Sequence, residues 1–118
     1  MKRALVVDDD PNVASALRRT LVRAGYEVET SSTGEEALSR LHQVRPDVVI
    51  SDFNMPGMNG VQVLSEVRAR YPSAGRVLIS GYVTSGLRPG DAVQHSLAKP
   101  WNERQLLELM KAATQARV

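Results

Sequence analysis

The sequence predicts an α/β fold in which a doubly wound, five-stranded parallel sheet is covered by helices on both faces. Short apolar runs alternate with longer stretches whose apolar residues recur at helical spacing. One run, Val-Val-Ile at 48–50, is continuous, as in a central strand that is buried on both faces. The helical stretches have ten or more residues, which is enough for the right-handed crossovers that join parallel strands.

The first third of the chain gives a strand, a helix and a second strand. Residues 3–7 are predicted as the first strand, in which Arg3 is followed by four apolar residues that stop at three aspartates. Pro11 then begins a helix, since proline is tolerated in a first turn and Asp10 can cap it. Gly25 is a natural stop for this helix. The alternating residues 26–30 predict the second strand, with one exposed face.

The middle of the chain repeats this order. Ser32 or Thr33 caps a second helix that ends before Pro46. The third strand is predicted at 47–51, around the continuous apolar run. A third helix with apolar residues between positions 61 and 67 closes before Pro72.

Two further strands and a last helix complete the pattern. The strands are predicted at 76–80 and 94–98, and Asn102 caps the final helix. A fourth helix, expected between these strands, is predicted to be short, irregular or absent, because Gly and Pro interrupt residues 81–93 and cost about 1 and 3 kcal/mol inside a helix. Five strands in 118 residues fit a flavodoxin-like fold, and residues 1–118 are expected to form a single domain.

Composition narrows the class of protein. Apolar residues make up 42% and charged residues 24%, as in ordered globular domains. The absence of cysteine excludes disulfides, thiolate metal sites and a cysteine nucleophile. Neither a signal peptide nor a membrane-spanning run is present, so we expect a cytoplasmic domain with no membrane partner.

The charge balance does not indicate nucleic-acid binding. The formal net charge is +2 and the pI is about 9.3, but aromatic residues make up only 4% and the basic residues are scattered. These scattered basic residues include Arg18, Arg19, Arg23, Arg40, Arg68, Arg70, Lys111 and Arg117. We interpret them as solvated helix faces and expect no direct contact with nucleic acid.

Reactive side chains follow four of the predicted strands. Asp8 and Asp9 come after the first strand, Asp52 after the third, Ser80 at the end of the fourth and Lys99 after the fifth. In doubly wound sheets the binding crevice lies beyond the carboxyl ends of the strands. We therefore expect these five residues to converge at one edge, with the neighbouring Asp10 serving as a helix cap.

Clustered carboxylates need a compensating cation. Two charges 4 Å apart repel by about 4 kcal/mol at an effective dielectric constant near 20. Oxygen ligands predict Mg²⁺, with Mn²⁺ as an alternative, whereas zinc fits poorly because His42 and His95 lie away from this edge. Beside such an ion, Asp52 could accept a phosphoryl group whose oxygens Lys99 and Ser80 would bind.

The sequence also resembles the receiver domain of two-component response regulators, in particular chemotaxis-regulator-like receivers. The resemblance covers essentially the whole chain. Four segments carry it: Val6-Val7-Asp8-Asp9-Asp10, Asp47-Val48-Val49-Ile50-Ser51-Asp52-Phe53-Asn54-Met55-Pro56-Gly57-Met58-Asn59-Gly60, Val77-Leu78-Ile79-Ser80-Gly81 and Leu97-Ala98-Lys99-Pro100-Trp101.

This resemblance implies specific roles. Asp52 is implied to take phosphate from a histidine kinase or phosphotransfer protein. Asp9, Asp52 and the Asn54 carbonyl are implied to bind Mg²⁺ directly, and Asp8 through water. Lys99 is implied to contact the phosphoryl group, Ser80 to move and bond it, and the peptide bond before Pro100 to be cis.

The implied function is a phosphorelay switch rather than an enzyme acting on another substrate. Phosphorylation would change binding to a downstream protein target, with residual autodephosphorylation, in a monomer or weak dimer. Ser96 stands where the family usually has a switching aromatic, which predicts a non-standard output. Whether the chain is a stand-alone receiver or part of a hybrid kinase or larger regulator is left open.

Three alternatives remain at this point. Asp8 and Asp10 form the Asp-x-Asp of haloacid-dehalogenase-like phosphatases, but Asn12 replaces the expected threonine. A nucleotide or flavin module would need a glycine-rich loop after the first strand, and none is present. A receiver that no longer switches is disfavoured by the five intact site residues.

Overall fold

The strand order places the end of the first strand beside the end of the third. The structure, a computed structural model, describes residues 2–81 and 92–115. The strands are β1 (Arg3–Val7), β2 (Glu27–Ser31), β3 (Val48–Asp52), β4 (Gly75–Ser80) and β5 (His95–Ala98), and the helices are α1 (Pro11–Arg23), α2 (Gly34–Val44), α3 (Gly60–Arg70) and α4 (Glu103–Gln115). All neighbouring strands are parallel, in the order β2-β1-β3-β4-β5. This is the flavodoxin-like order, whose switch point lies between β1 and β3.

The predicted fold class is confirmed, with small shifts in the element boundaries. The first strand falls where it was predicted, and the second and third lie one residue further along the chain. Asp52 is therefore the last residue of β3, not the first residue beyond it. The predicted irregular fourth helix falls mainly on residues 82–91, outside the described residues, and stays a prediction.

Local signals explain where the helices begin. Asp10 caps α1 by accepting a hydrogen bond from the Asn12 N–H, as predicted. Thr33, not Ser32, caps α2, since its Oγ1 accepts from the Glu36 N–H at 3.1 Å. Asn102 accepts from the Gln105 N–H at 3.3 Å, which agrees with the predicted start of α4.

The core has two layers, one on each face of the sheet. One layer joins the sheet to α1 and α4 through Val6, Leu17, Ile50, Ile79, Leu106 and Met110. The other joins it to α2 and α3 through Leu5, Leu41, Val49, Leu64, Val67 and Leu78. All five residues of β3 are buried, so the strand that ends at Asp52 is held from both sides. Within the described residues, no helix has the length and apolarity to cross a bilayer.

Asn59 begins α3 with a reciprocal pair of hydrogen bonds. Its Oδ1 accepts from the Gln62 N–H at 2.9 Å, and the Gln62 Oε1 accepts from the Asn59 N–H at 2.8 Å. Asn59→Ala is expected to lower the free energy of unfolding by about 1 kcal/mol, because the first turn loses this partner. Urea denaturation measures the change. Asn12→Ala, in the exposed first turn of α1, is the control and is expected to change stability by less than about 0.5 kcal/mol; an equal loss in both variants would contradict a specific capping role.

A carboxylate cluster as the candidate functional site

Three aspartates meet at the carboxyl edge of the sheet. Asp8 follows β1 and Asp52 ends β3, and these strands are hydrogen-bonded neighbours. Asp8, Asp9 and Asp52 each offer one carboxylate oxygen within 4.8 Å of the others. Asp8 and Asp52 are buried, whereas Asp9 is exposed. The predicted convergence of the first and third strand ends is therefore present in the structure.

Lys99 contributes a positive charge to this cluster from the position after the edge strand β5. It follows β5, and its Nζ lies 3.0 Å from Asp52 Oδ1 and 3.7 Å from Asp8 Oδ2. Its backbone N–H donates to the Ser80 carbonyl at 2.8 Å, and its bond to Pro100 is cis, as the resemblance implied. The side chain therefore reaches over β4 to the acids of β1 and β3.

Burial and charge oppose each other at these groups. Burial raises the pKa of the Asp8 carboxyl, and the negative charges of Asp52 and Asp9 raise it further, while the Asp10 N–H and the Lys99 charge act against them. Burial by itself lowers the pKa of Lys99, but its hydrogen bond to Asp52 and the nearby acids leave that pKa above its usual value. The cluster is thus short of positive charge, and the Lys99 ammonium is held in its charged form.

One oxygen of Asp8 has no hydrogen-bond partner among the described residues. Asp8 Oδ1 accepts from the Asp10 N–H at 2.9 Å, but the buried Oδ2 accepts no hydrogen bond from this part of the chain, and Lys99 Nζ at 3.7 Å is too far to donate one. Leaving a buried acceptor unpaired costs about 1–3 kcal/mol, and more for a charged group. A hard divalent cation would satisfy this oxygen, so the all-oxygen donor set of Asp8, Asp9 and Asp52 fits Mg²⁺.

Two other predicted site residues, Ser80 and Asn54, lie at the carboxyl edge of the sheet, whereas both histidines lie away from it. Ser80 is buried at the end of β4, the strand next to Asp52. Asn54 is exposed in the loop after β3. Their contacts with metal or phosphate remain predictions. His42 lies on exposed α2 surface and His95 begins β5, so neither belongs to the carboxylate cluster among the described residues.

The residues that fix the backbones of Asp52 and Asp8 were not among the predicted site residues. Gly60 approaches the backbone of Asp52 so closely that a Cβ there would lie 2.4 Å from the Asp52 carbonyl oxygen. The Ser31 carbonyl accepts from the Asp8 N–H at 3.0 Å. The glycine was visible in the Met-Pro-Gly-Met-Asn-Gly segment, but nothing in the sequence pattern connects Ser31 with Asp8.

A cleft gives access to the acids from the side of α1. It has a volume of about 270 Å³ and runs between the first turns of α1 and the end of β2. Asp8 and Asp9 form one end, and Ser15, Arg18 and Ser32 line the remainder. The cleft therefore reaches the cluster at Asp8 and Asp9, while Asp52 and Lys99 are not part of its lining.

Comparison with known proteins identifies the family. A parallel sheet in this order, with acids at its switch point, is typical of a doubly wound domain that binds its ligand beyond the carboxyl ends of the strands. Residues 4–111 match the response regulator receiver domain, and the chain belongs to that family, as its motifs predicted. A receiver domain is a signalling domain of two-component systems, which leaves little support for the phosphatase and nucleotide-binding alternatives.

The matched proteins include transcriptional regulatory proteins and response regulators. The chain is 38% identical over 117 residues to the hydrogenase transcriptional regulatory protein HoxA of Cupriavidus necator, covering 95% of this chain and 24% of HoxA. It spans about a quarter of the length of the curated relatives that it matches. The activities named for those longer relatives are therefore not assigned to this chain.

Solved structures show the same fold. The response regulator TrrA of Thermotoga maritima, in complex with Mg²⁺ and BeF, has a TM-score of 0.89 at 36% identity and covers 96% of this chain and 99% of its own. The chemotaxis protein CheY4 of Vibrio cholerae has a TM-score of 0.89 at 34% identity, covering 96% and 98%. TrrA has also been solved in complex with the histidine kinase ThkA, with a TM-score of 0.85 at 36% identity and coverage of 96% and 98%.

Proposed function

We propose that this receiver domain is a phosphorylation-controlled switch in which Asp52 accepts a phosphoryl group. The observation that carries the proposal is the position of the buried Asp52 carboxylate, 3.0 Å from the Lys99 ammonium and beside two further acids. Asp8, Asp9, Asp52 and the Asn54 carbonyl would hold Mg²⁺, and Mn²⁺ suits the same oxygens. Mg²⁺, when bound, offsets negative charge on the transferring group.

The residues of the chain supply the nucleophile and hold it in place. A carboxylate oxygen of Asp52 attacks phosphorus, so that a new O–P bond forms as the bond between phosphorus and the donor breaks. The leaving group keeps the electron pair of that bond. Lys99 fixes Asp52 and provides a point charge for a phosphoryl oxygen, while Ser80 supplies a hydroxyl from the adjacent strand.

Phosphorylation would change the surface through the strand ends. It replaces the single negative charge of the Asp52 carboxylate with a phosphoryl group that carries up to about two negative charges. The ends of β4 and β5 are joined by the hydrogen bond from Lys99 N–H to the Ser80 carbonyl, so displacement of either side chain affects both. We infer that this movement alters binding to a downstream protein target, and that the only reaction the domain catalyses is its own slow dephosphorylation.

The partners follow from the same proposal. The complex of TrrA with histidine kinase ThkA supports a histidine kinase or phosphotransfer protein as donor. We infer a protein target for the output, with no direct contact to nucleic acid or membrane, and a monomer or weak dimer. Residues 1–118 would act as one receiver domain.

Binding of Mg²⁺ provides the direct test. Trp101, the single tryptophan of the chain, packs against the core two residues after Lys99, so its fluorescence should report on the site. The wild type is expected to bind Mg²⁺, and Asp8→Asn to weaken binding at least about tenfold, because a buried ligand loses its charge. Isothermal titration calorimetry checks the affinity independently.

Asp47→Asn is the matched control. Asp47 precedes β3 at the opposite edge of the sheet, where its Oδ2 accepts from the Arg3 N–H at 2.8 Å. This variant is expected to keep wild-type affinity for Mg²⁺. If the wild type showed no Mg²⁺ binding, or if both variants behaved alike, the proposed site would be wrong.

A further inference from the structure

Arg40 of α2 binds the end of β2 through its guanidinium group. Its Nη1 donates to the Thr30 carbonyl at 2.6 Å and to Ser31 Oγ at 3.0 Å, and its Nη2 pairs with Glu29 Oε1 at 2.6 Å. The Arg40 side chain is 28% exposed, so most of it lies against the protein. One guanidinium thus binds three consecutive residues of the strand.

β2 needs this support because it is an edge strand. The Glu27 N–H donates to the Lys2 carbonyl and the Ser31 carbonyl accepts from Asp8, so these residues direct their backbone groups toward β1. The intervening Thr30 directs its carbonyl away from β1, where the described residues provide no further strand. Arg40 supplies the donor that a neighbouring strand would otherwise provide.

The end of β2 in turn holds Asp8. The Asp8 backbone is fixed through its N–H to the Ser31 carbonyl at 3.0 Å, and its side chain through Oδ1 to the Asp10 N–H at 2.9 Å. The Asp8 side chain is only 1% exposed, so it has little room to adjust if its backbone shifts. A short path of hydrogen bonds therefore runs from Arg40 through Ser31 to Asp8.

We propose that Arg40 is a positioning residue for the carboxylate cluster, acting through the end of β2 on Asp8. The proposal rests on the function inferred for that cluster. It assigns a role to a side chain on α2 that contributes no atom to the cluster itself. Outer contacts of this kind set how well a metal ligand is pre-aligned.

Arg40→Met is the test, because methionine keeps an aliphatic chain and removes every donor. The Mg²⁺ dissociation constant, measured by calorimetry and by Trp101 fluorescence, is expected to rise about tenfold. Removing a positive charge should by itself strengthen cation binding, so a weakening cannot come from the change in net charge. Arg40→Lys retains the positive charge and one donor nitrogen, so its Mg²⁺ affinity is expected to lie between those of the wild type and Arg40→Met.

Arg70→Met is the matched control. Arg70 is also a helical arginine, 49% exposed, and it pairs with Glu66 on its own helix at 3.4 Å. Its loss changes the charge equally but leaves β2 untouched, so wild-type Mg²⁺ affinity is expected. Amide hydrogen exchange at Asp8, followed by NMR without Mg²⁺, should accelerate in Arg40→Met and not in Arg70→Met.

The possible outcomes distinguish a failure of the Arg40 proposal from a failure of the function proposed for the carboxylate cluster. If the wild type binds no Mg²⁺, the cluster has been misassigned and both ideas fail. If the wild type binds Mg²⁺ and the Arg40 variants match Arg70→Met in affinity and in Asp8 exchange, only the positioning role is overturned. If Arg40→Met does not fold, wild-type Mg²⁺ affinity in Arg40→Lys overturns the role, and weaker affinity than wild type with faster Asp8 exchange supports it.

Discussion

Asp52→Asn is expected to abolish phosphorylation by acetyl phosphate in the presence of Mg²⁺. Asparagine keeps the shape of the side chain and an oxygen that can still accept from Lys99, but its neutral amide is not a nucleophile. Intact-mass spectrometry should show a phosphoryl adduct on the wild type and none on the variant. Asp47→Asn, at the opposite end of β3, is expected to be phosphorylated normally.

A second readout separates a switching receiver from one that only accepts phosphate. Beryllofluoride with Mg²⁺ should change Trp101 fluorescence in the wild type, since Trp101 lies two residues after Lys99, and should leave Asp52→Asn unchanged. A phosphoryl adduct on the Asp52→Asn variant would place the acceptor elsewhere, at Asp8 or Asp9. An adduct on the wild type without any spectral change would favour the non-switching alternative.

Gly60→Ala is expected to lower the free energy of unfolding by about 3 kcal/mol, the upper part of the range for overpacked sites. The added Cβ would lie 2.4 Å from the Asp52 carbonyl oxygen and 2.7 Å from Leu78 Cδ1. Helix propensity alone favours alanine by about 1 kcal/mol, so a net loss would show that the contact dominates. Guanidinium denaturation followed by circular dichroism measures the change.

Gly81→Ala is the control for this clash. A Cβ at Gly81 would have no neighbour within 4 Å among the described residues, so a change of less than about 0.5 kcal/mol is expected. Because the added Cβ would press on the backbone of Asp52, the Gly60→Ala variant should also be phosphorylated more slowly than the wild type. Unchanged stability in Gly60→Ala would mean that α3 can retreat from β3 without cost.

The sequence predicted those features that depend on local pattern. Residues 3–7 could be placed because an apolar run ends abruptly at aspartates, and α1 because Asp10 and Pro11 form a recognisable start. The predicted third strand ends at Ser51, one residue short of the observed end at Asp52. In the structure the Asp52 backbone still pairs with Ile79 of β4, at the carboxyl end of the strands.

The features that could not be predicted depend on contacts between distant parts of the chain. Arg40 looked like one more solvated helix residue, because only the edge position of β2 gives its guanidinium a role. Arg76 lies in an apolar strand pattern, yet its side chain is buried and donates to the Ala74 and Ala92 carbonyls. Spacing along the sequence does not carry information about such partners.

The site draws its acids from the first and third strands and its ammonium from the position after the fifth. A nascent chain whose residues 95–99 are still inside the ribosome would carry Asp52 without the Lys99 ammonium that pairs with it. Under the function proposed for Asp52, competence to receive phosphate would therefore require that early and late strands have joined one sheet. Signalling would in this way be confined to completely assembled molecules.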